Sequence, residues 1–430
     1  MIVSPAFAGK RYVVLGLARS GLATVRSLVE SGAAVTAWDG KPEARLALPP
    51  GVVVADPMTI DLAGFDGIVV SPGVPLNTHP IAERAREAGV PVIGDIELFA
   101  QARSSLPAHK VVGITGTNGK STVTALIHHI LTTAAVPATM GGNIGLPILA
   151  QEPLPEGGVY VLELSSFQID LTHSLDCDVA VLTNITPDHL DRYDGFEQYA
   201  ASKMRLFEMQ SSGHIAVLHF AEEARISREV DVVWLFERVS LNDQPNWPAL
   251  QGPHNSMNAQ AAMAVAQGLG ILPQAVQEAL RTYPGLPHRM ERVSEIDGVL
   301  YVNDSKATNA TSAAPALGAY PKIHWILGGR RKTDELDACR PFYSHVVAAY
   351  TIGESAELFA DILRNAGIAV LNSGTLQTAV KQAAQIARRG ETVLLSPACA
   401  SYDQFTDYEA RGDAFRGAVA SLGGALGGRP

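Results

Sequence analysis

Short β-branched apolar runs, each leading through a glycine-bearing or polar turn into a segment of helical spacing, recur along the whole chain. Such runs are apolar throughout rather than alternating, which is the pattern of strands buried on both faces of a parallel sheet with helices on either side. In the first third, the runs Tyr12 to Leu15, Ala34 to Trp38, Gly67 to Ser71 and Val90 to Ile93 predict strands. In the middle they are Lys110 to Ile114, Val159 to Leu164 and Val179 to Leu182, with a helix over Ser121 to Leu131. In the last third they are Val299 to Asn303, His324 to Gly328, Val346 to Thr351 and Thr392 to Leu395. The expected class is α/β with mostly parallel sheets. At about 150 residues per domain, 430 residues allow three domains. Breaks at Gln101 to His109, read as a linker, and at Thr282 to Pro287 set them at 1–100, 110–285 and 288–430.

Charge and cysteine usage narrow the function. Lys and Arg number 33 against 43 Asp and Glu, a net charge of −10, so neither nucleic acid nor an anionic membrane is an expected partner. An anionic substrate then needs a local cationic site. Cys177, Cys339 and Cys399 form no CxxC pair, which argues against a disulfide framework or a zinc site and fits a reducing cytoplasm. No signal segment and no spanning apolar run of about 18 residues is present.

The strongest local signal is GTNGKST at 116–122, between a strand and a helix. Backbone N–H groups at such a helix start favour phosphate, Lys120 adds a point charge, and the Ser121 hydroxyl can reach Mg²⁺. Ile114 stands where the strict Walker pattern has glycine, so this is a shortened phosphate loop. Glu163 ends an apolar strand, where a magnesium ligand belongs if the phosphate loop lies beside it; alone, it reads as a solvated strand end. His189, in TNITPDHLD at 183–191, offers an imidazole to a metal or a metal-bound water. Lys203 reads from its spacing as an ordinary surface lysine on an amphipathic helix. In the first segment the turn from Gly16 to Gly21, with Asp39 about twenty residues on, reads either as a nucleotide site or as glycines that let helix and strand pack. Three polar strand-end loops, at 303–309, 328–332 and 396–401, suggest one site at the carboxyl edge of the last sheet.

The ordered set GTNGKST, GGNIG at 141–145, LELSSFQ at 162–168, TNITPDHLDRY at 183–193, HNSMN at 254–258, GLPHRME at 285–291 and NDSKATN at 303–309 resembles the Mur ligases over nearly the whole chain. The phosphate loop, the HNxxN motif and the HR pair are shared with folylpolyglutamate synthetases. Within the family, NDSKATN, LSPACASYDQF and GLARSG resemble the members that add D-glutamate, and the DNPR-type motif of diaminopimelate-adding members is absent.

The resemblance implies a Rossmann-like UDP-binding domain, a central P-loop ATPase-type domain and a C-terminal Rossmann-like amino-acid domain. It implies an ATP-dependent ligase, with D-glutamate and UDP-N-acetylmuramoyl-L-alanine as small-molecule substrates, two Mg²⁺ ions and a monomeric, cytoplasmic protein. UDP-substrate contacts would fall on Arg19, Ser20, Asp39, Ser71, Pro72, Gly73, Asn143 and Ser165. Arg19 stands where a smaller apolar residue is expected, and Gly40 where a hydroxyl can occur. ATP would meet Gly116, Thr117, Asn118, Gly119, Lys120, Ser121, Thr122, Asn258, Arg289 and Asp304. D-glutamate would meet Lys306, Thr308, Lys332, Ser401 and Tyr408, the last replacing an aromatic without a hydroxyl. Catalysis would rest on Lys120, Glu163, His189 and Lys203, with Ser121, Glu163, His189 and a carbamylated Lys203 holding the metals. Another Mur ligase or a folylpolyglutamate synthetase is the neighbouring alternative; a silent nucleotide-binding regulator would tolerate loss of Lys120, Glu163 and His189, which are all present.

Overall fold

The structure is a computed structural model that describes residues 1–188, 191–219, 231–235, 243–331 and 334–426. Among the described residues, seventeen strands form three sheets. The first contains β1 (Arg11–Leu15), β2 (Ala34–Trp38), β3 (Val53–Val54), β4 (Gly67–Val70) and β5 (Val92–Ile93), in the order β3-β2-β1-β4-β5. The second contains β6 (His109–Thr115), β7 (Ala138–Gly142), β8 (Gly158–Glu163), β9 (Val179–Leu182), β10 (Ile215–His219) and β11 (Asp231–Leu235), ordered β11-β10-β9-β6-β8-β7. Every pair in these two sheets is parallel.

The third sheet contains β12 (Glu291–Ile296), β13 (Val299–Asn303), β14 (Ile323–Gly328), β15 (Val346–Ile352), β16 (Val370–Gly374) and β17 (Thr392–Leu395), ordered β12-β13-β17-β14-β15-β16. It is parallel except for β12, which pairs antiparallel with β13 across a tight turn at Asp297 and Gly298, both in the left-handed region. The α/β class with mostly parallel sheets therefore holds, with one antiparallel edge.

By its contacts the chain divides into two compact units, Met1–Arg238 with Met257–Leu280, and Val239–Ser256 with Arg281–Pro430. Within the first unit, one apolar cluster joins the first two sheets: Tyr12, Val14 and Leu28 belong to the same core as Phe99, Val111 and Tyr160. The stretch read as a linker is packed accordingly. A helix, Asp95–Ala102, runs into a short 3-10 turn, Arg103–Ser105; Ala102 is fully buried, and the Ser105 and Ser4 hydroxyls are hydrogen-bonded at 2.8 Å. No described helix is long and apolar enough to cross a membrane.

Candidate active site

In the first unit, parallel register brings the carboxyl ends of three strands level: Ile114 of β6 pairs with Glu163 of β8, and Thr115 with Leu182 of β9. The phosphate turn, Glu163 and the segment from Thr183 to Asp188 therefore emerge side by side. The turn requires glycine twice. Gly116 has φ +143 and a Cβ there would stand 2.0 Å from Thr183 Oγ1; Gly119 has φ +87 and a Cβ would stand 2.4 Å from Asn258 Oδ1.

The turn is tied to the loop after β9. Thr117 N–H donates to Asn184 O at 2.9 Å, and Asn118 N–H donates to Asn184 Oδ1 at 3.0 Å. Asn184 Nδ2 and Thr183 Oγ1 both donate to Asn118 O, at 2.9 and 2.6 Å. Helix Lys120–Thr133 starts next, carrying Ser121, which is buried, and Thr122, which is half-buried.

Lys120 Nζ donates to Gly116 O and Thr117 O, each at 2.9 Å, and Lys203 Nζ donates to the same Gly116 O at 2.9 Å. Lys203 lies on helix Gly195–Glu208 and is only 2% exposed, with its ammonium 4.6 Å from the centre of the Tyr199 ring. It is not the surface lysine its spacing suggested. Burial, then the charge of Lys120, pull its amine down to about 7 against the opposing Asp188 and Asp170.

Glu163 is 3% exposed, so it is not a solvated strand end either. Its Oε1 accepts from Asn143 Nδ2 at 3.1 Å, while its Oε2 is buried with no hydrogen-bond partner. An orphaned carboxylate oxygen in that position suits a cation. Among the described residues no three His, Cys, Asp or Glu side chains gather into a metal-binding group, and His189 lies outside them.

At the first sheet, Asp39 accepts from Leu17 N–H at 2.7 Å and Lys41 N–H at 2.9 Å, and the Ser71 hydroxyl donates to Gly16 O at 2.8 Å. Both expected substrate residues thus shape the turn after β1, which leads into the helix Arg19–Glu30 with Ser20 at its second position. Pro72 and Gly73 follow Ser71 at the end of β4. Arg19 Nη2 reaches Gly145 O at 2.9 Å, linking this turn to the loop that carries Asn143. The Ser165 hydroxyl caps helix Ser166–Asp170 in a reciprocal pair with Gln168.

In the second unit, β13 and β17 end in register at Asn303 and Leu395, and β14 pairs Ile326 with Leu395. Asp304 is buried, accepting from the Ser396 hydroxyl at 2.8 Å and from Met290 N–H at 3.2 Å. Burial pushes its carboxyl up to about 7, against those bonds and the charges of Arg289 and Arg411. Arg289 is flanked by His288 and Met290, both in the left-handed region at φ +62 and +48. Lys306 Nζ stands 3.8 Å from the centre of the Tyr408 ring, a cation–π contact; Ser401 is buried and Thr308 half-buried. Lys332 lies outside the described residues. Sequence reasoning missed Asn184 and Arg411, whose roles are contacts to backbone atoms that no motif spells out.

Three family models match: the Mur ligase MurD-like N-terminal domain over residues 10–94, the Mur ligase middle domain over 114–247 and the Mur ligase glutamate ligase domain over 288–399. The chain is 62% identical to the UDP-N-acetylmuramoylalanine--D-glutamate ligase of Novosphingobium aromaticivorans, covering 98% of this chain and 97% of that one. It is 57% identical to the enzyme of the same name from Zymomonas mobilis, over 98% and 100%. Among solved structures, the UDP-N-acetylmuramate-alanine ligase MurC of Thermotoga maritima aligns over 96% of this chain and 99% of that one, with a TM-score of 0.59 at 18% identity. The MurF ligase of Thermotoga maritima, in complex with ADP, aligns over 98% of both chains with a TM-score of 0.58 at 15% identity. The fold is that of those structures, and on the extent of its identity with the curated relatives the chain belongs to the Mur ligase family.

Proposed function

We propose that the chain is an ATP-dependent amide ligase joining D-glutamate to UDP-N-acetylmuramoyl-L-alanine, a step of peptidoglycan precursor synthesis. The observation that carries this reading is the pairing of the phosphate turn with the buried, half-unpartnered carboxylate of Glu163. The substrate carboxylate attacks the γ-phosphorus of ATP and ADP leaves, giving an acyl phosphate. The D-glutamate amine then adds to the activated carbonyl; the tetrahedral intermediate expels phosphate, the nitrogen loses its proton, and an amide remains.

Two anions must meet in the first step, and the chain supplies cationic and dipolar groups for it. Lys120 stands over the turn, and the N–H groups at the start of helix Lys120–Thr133 face anions favourably. Ser121 and Glu163 are the residues that would hold Mg²⁺; bound there, the ion would offset charge on the transferring phosphoryl group. A second ion would fall to His189 and Lys203. An amine held near 7 is partly neutral at neutral pH, and the neutral amine is the form that adds CO₂ to become a carbamate, an anionic oxygen ligand. Arg19, Ser20, Asp39 and the turn at Ser71 serve the UDP moiety, and Asn143 and Ser165 the muramoyl part. Lys306, Thr308, Lys332, Ser401 and Tyr408 serve D-glutamate.

Three free, buried cysteines support a reducing compartment, and we assign the reaction to a cytoplasmic monomer. The test is ADP release with UDP-N-acetylmuramoyl-L-alanine and single amino acids. Stimulation by D-glutamate alone is expected; equal or greater stimulation by L-glutamate, diaminopimelate or L-lysine overturns the assignment.

A further inference from the structure

Among the described residues Arg411 is the one arginine in the set of largest fully buried side chains, 1% exposed, and none of the chemistry above uses it. Burial lowers its guanidinium to about 10, so it stays charged at neutral pH. Among the described residues no carboxylate is bonded to it; Asp403 and Asp304 act on it only through space.

Its donors go instead to the loops at the carboxyl edge of the third sheet. Nε donates to Ser305 Oγ at 3.0 Å and Nη2 to Ser305 O at 2.8 Å, in the loop after β13; Nη1 donates to Cys399 O at 3.0 Å, in the loop after β17. The loop after β14 closes over the same group, because a Cβ on Gly329 would lie 3.3 Å from Nη1 and 2.3 Å from Ala400 O. The Ser305 hydroxyl passes the connection on, donating to Tyr408 O at 2.8 Å, one helical turn before Arg411. Lys306, Ser401 and the Tyr408 ring are thereby one residue, two residues and one turn from atoms that this guanidinium fixes.

We propose that Arg411 is a positioning residue for the amino-acid substrate, locking the loops after β13 and β17 into one frame that sets the spacing of the groups taking the two carboxylates of D-glutamate. This rests on the reading that D-glutamate binds at those loops. A planar fork is needed because three separate N–H donors are engaged at once, by two acceptors on Ser305 and one on Cys399; the lysine ammonium is a point charge on a flexible stem and cannot hold them together. Loss of the fork leaves buried carbonyls unsatisfied and lets the loops drift, and a misplacement of about 1 Å is enough to weaken a site that must grip two charges at once.

The test is a set of KM values for D-glutamate, ATP and the UDP substrate in Arg411→Lys and Arg411→Ala, with Lys306→Ala as a check on the pocket itself. In Arg411→Lys the KM for D-glutamate is expected to rise about tenfold or more, with the other two KM values and kcat at saturating D-glutamate changed by less than about twofold. Millimolar guanidinium added to Arg411→Ala should bring the D-glutamate KM back down. Equal rises in all three KM values, or an unmoved D-glutamate KM in Arg411→Lys, overturn the proposal, and the lysine variant decides the matter even where the alanine variant fails to fold. An unchanged D-glutamate KM in Lys306→Ala overturns the pocket assignment instead.

Discussion

Two ammonium groups, those of Lys120 and Lys203, donate to one backbone oxygen, that of Gly116, in a site from which Lys203 is almost wholly shielded from water. Each opposes the other's charge, and the more buried one yields. With its amine at about 7 in the fold and near 10.5 in the unfolded chain, the unfolded state binds the extra proton throughout that interval. Stability of the unmodified protein should therefore rise with pH from about 7 to about 10.5, and Lys203→Met should flatten that rise. Thermal unfolding in CO₂-free buffer across the window checks this, and an unchanged slope in the variant contradicts it. On the proposed reading Lys120, whose ammonium stands over the turn, serves the phosphoryl-transfer step. Lys120→Ala should cost roughly 3 kcal/mol of transition-state stabilisation, read as a loss of kcat of about a hundredfold or more, and near wild-type turnover would refute the role. The burial of Lys203 was not legible in the sequence. Lys203 sits on a helix whose spacing allows a surface position, and composition always favours a solvated lysine.

The phosphate turn works because a neighbouring loop holds it. Asn184 bonds both the N–H and the carbonyl of Asn118 through one side-chain amide, as a paired strand would. Asn184→Ala removes both bonds at once; at about 0.5 to 1.5 kcal/mol each, ADP affinity measured by calorimetry should fall roughly five- to a hundredfold. Thermal stability should move little, because the amide is only half-buried and water can replace it. Undiminished ADP affinity would show that the turn holds its shape unaided. The glycine and lysine positions of this turn were legible because each demands a residue type: positive φ at Gly119, no Cβ at Gly116, a cation at Lys120. The brace was not, since an asparagine bonding a peptide leaves no spacing to read. Strands show the same division. The apolar runs β2, β9, β13 and β17 were read to their last residues, while β3, β7, β10, β11, β12 and β16 escaped notice, among them β7, which ends in two glycines, and β12, whose six residues include three charged ones and none that is buried. Five of those six lie at a sheet edge, where a single neighbouring strand and partial cover leave a weaker apolar signal; the sixth is β10, and the edge strand β5 was read.

On the proposed reading, recognition of phosphate and of the amino acid is divided between elements far apart in sequence, and the kinetics should divide likewise. Lys120 belongs to the first compact unit, whereas Lys306 and Ser401 follow strands of the third sheet in the second. The net charge of −10 gives a dicarboxylate no general attraction to the surface, so its affinity must come from a few local cations and hydroxyls. Hydrogen bonds to a charged group contribute about 1.5 to 3 kcal/mol each, so Lys332→Ala should raise the KM for D-glutamate by roughly ten- to a hundredfold. The same variant should leave the KM for ATP within about twofold, since uniform loss of one substrate's binding appears in that substrate's KM alone. Combined with Lys120→Ala, the two losses should add in free energy, because on the proposed assignment the two lysines act on different substrates. Steady-state kinetics of the two single variants and the double variant measure this directly, and a double variant no worse than Lys120→Ala alone would mean that the two lysines serve one group rather than two.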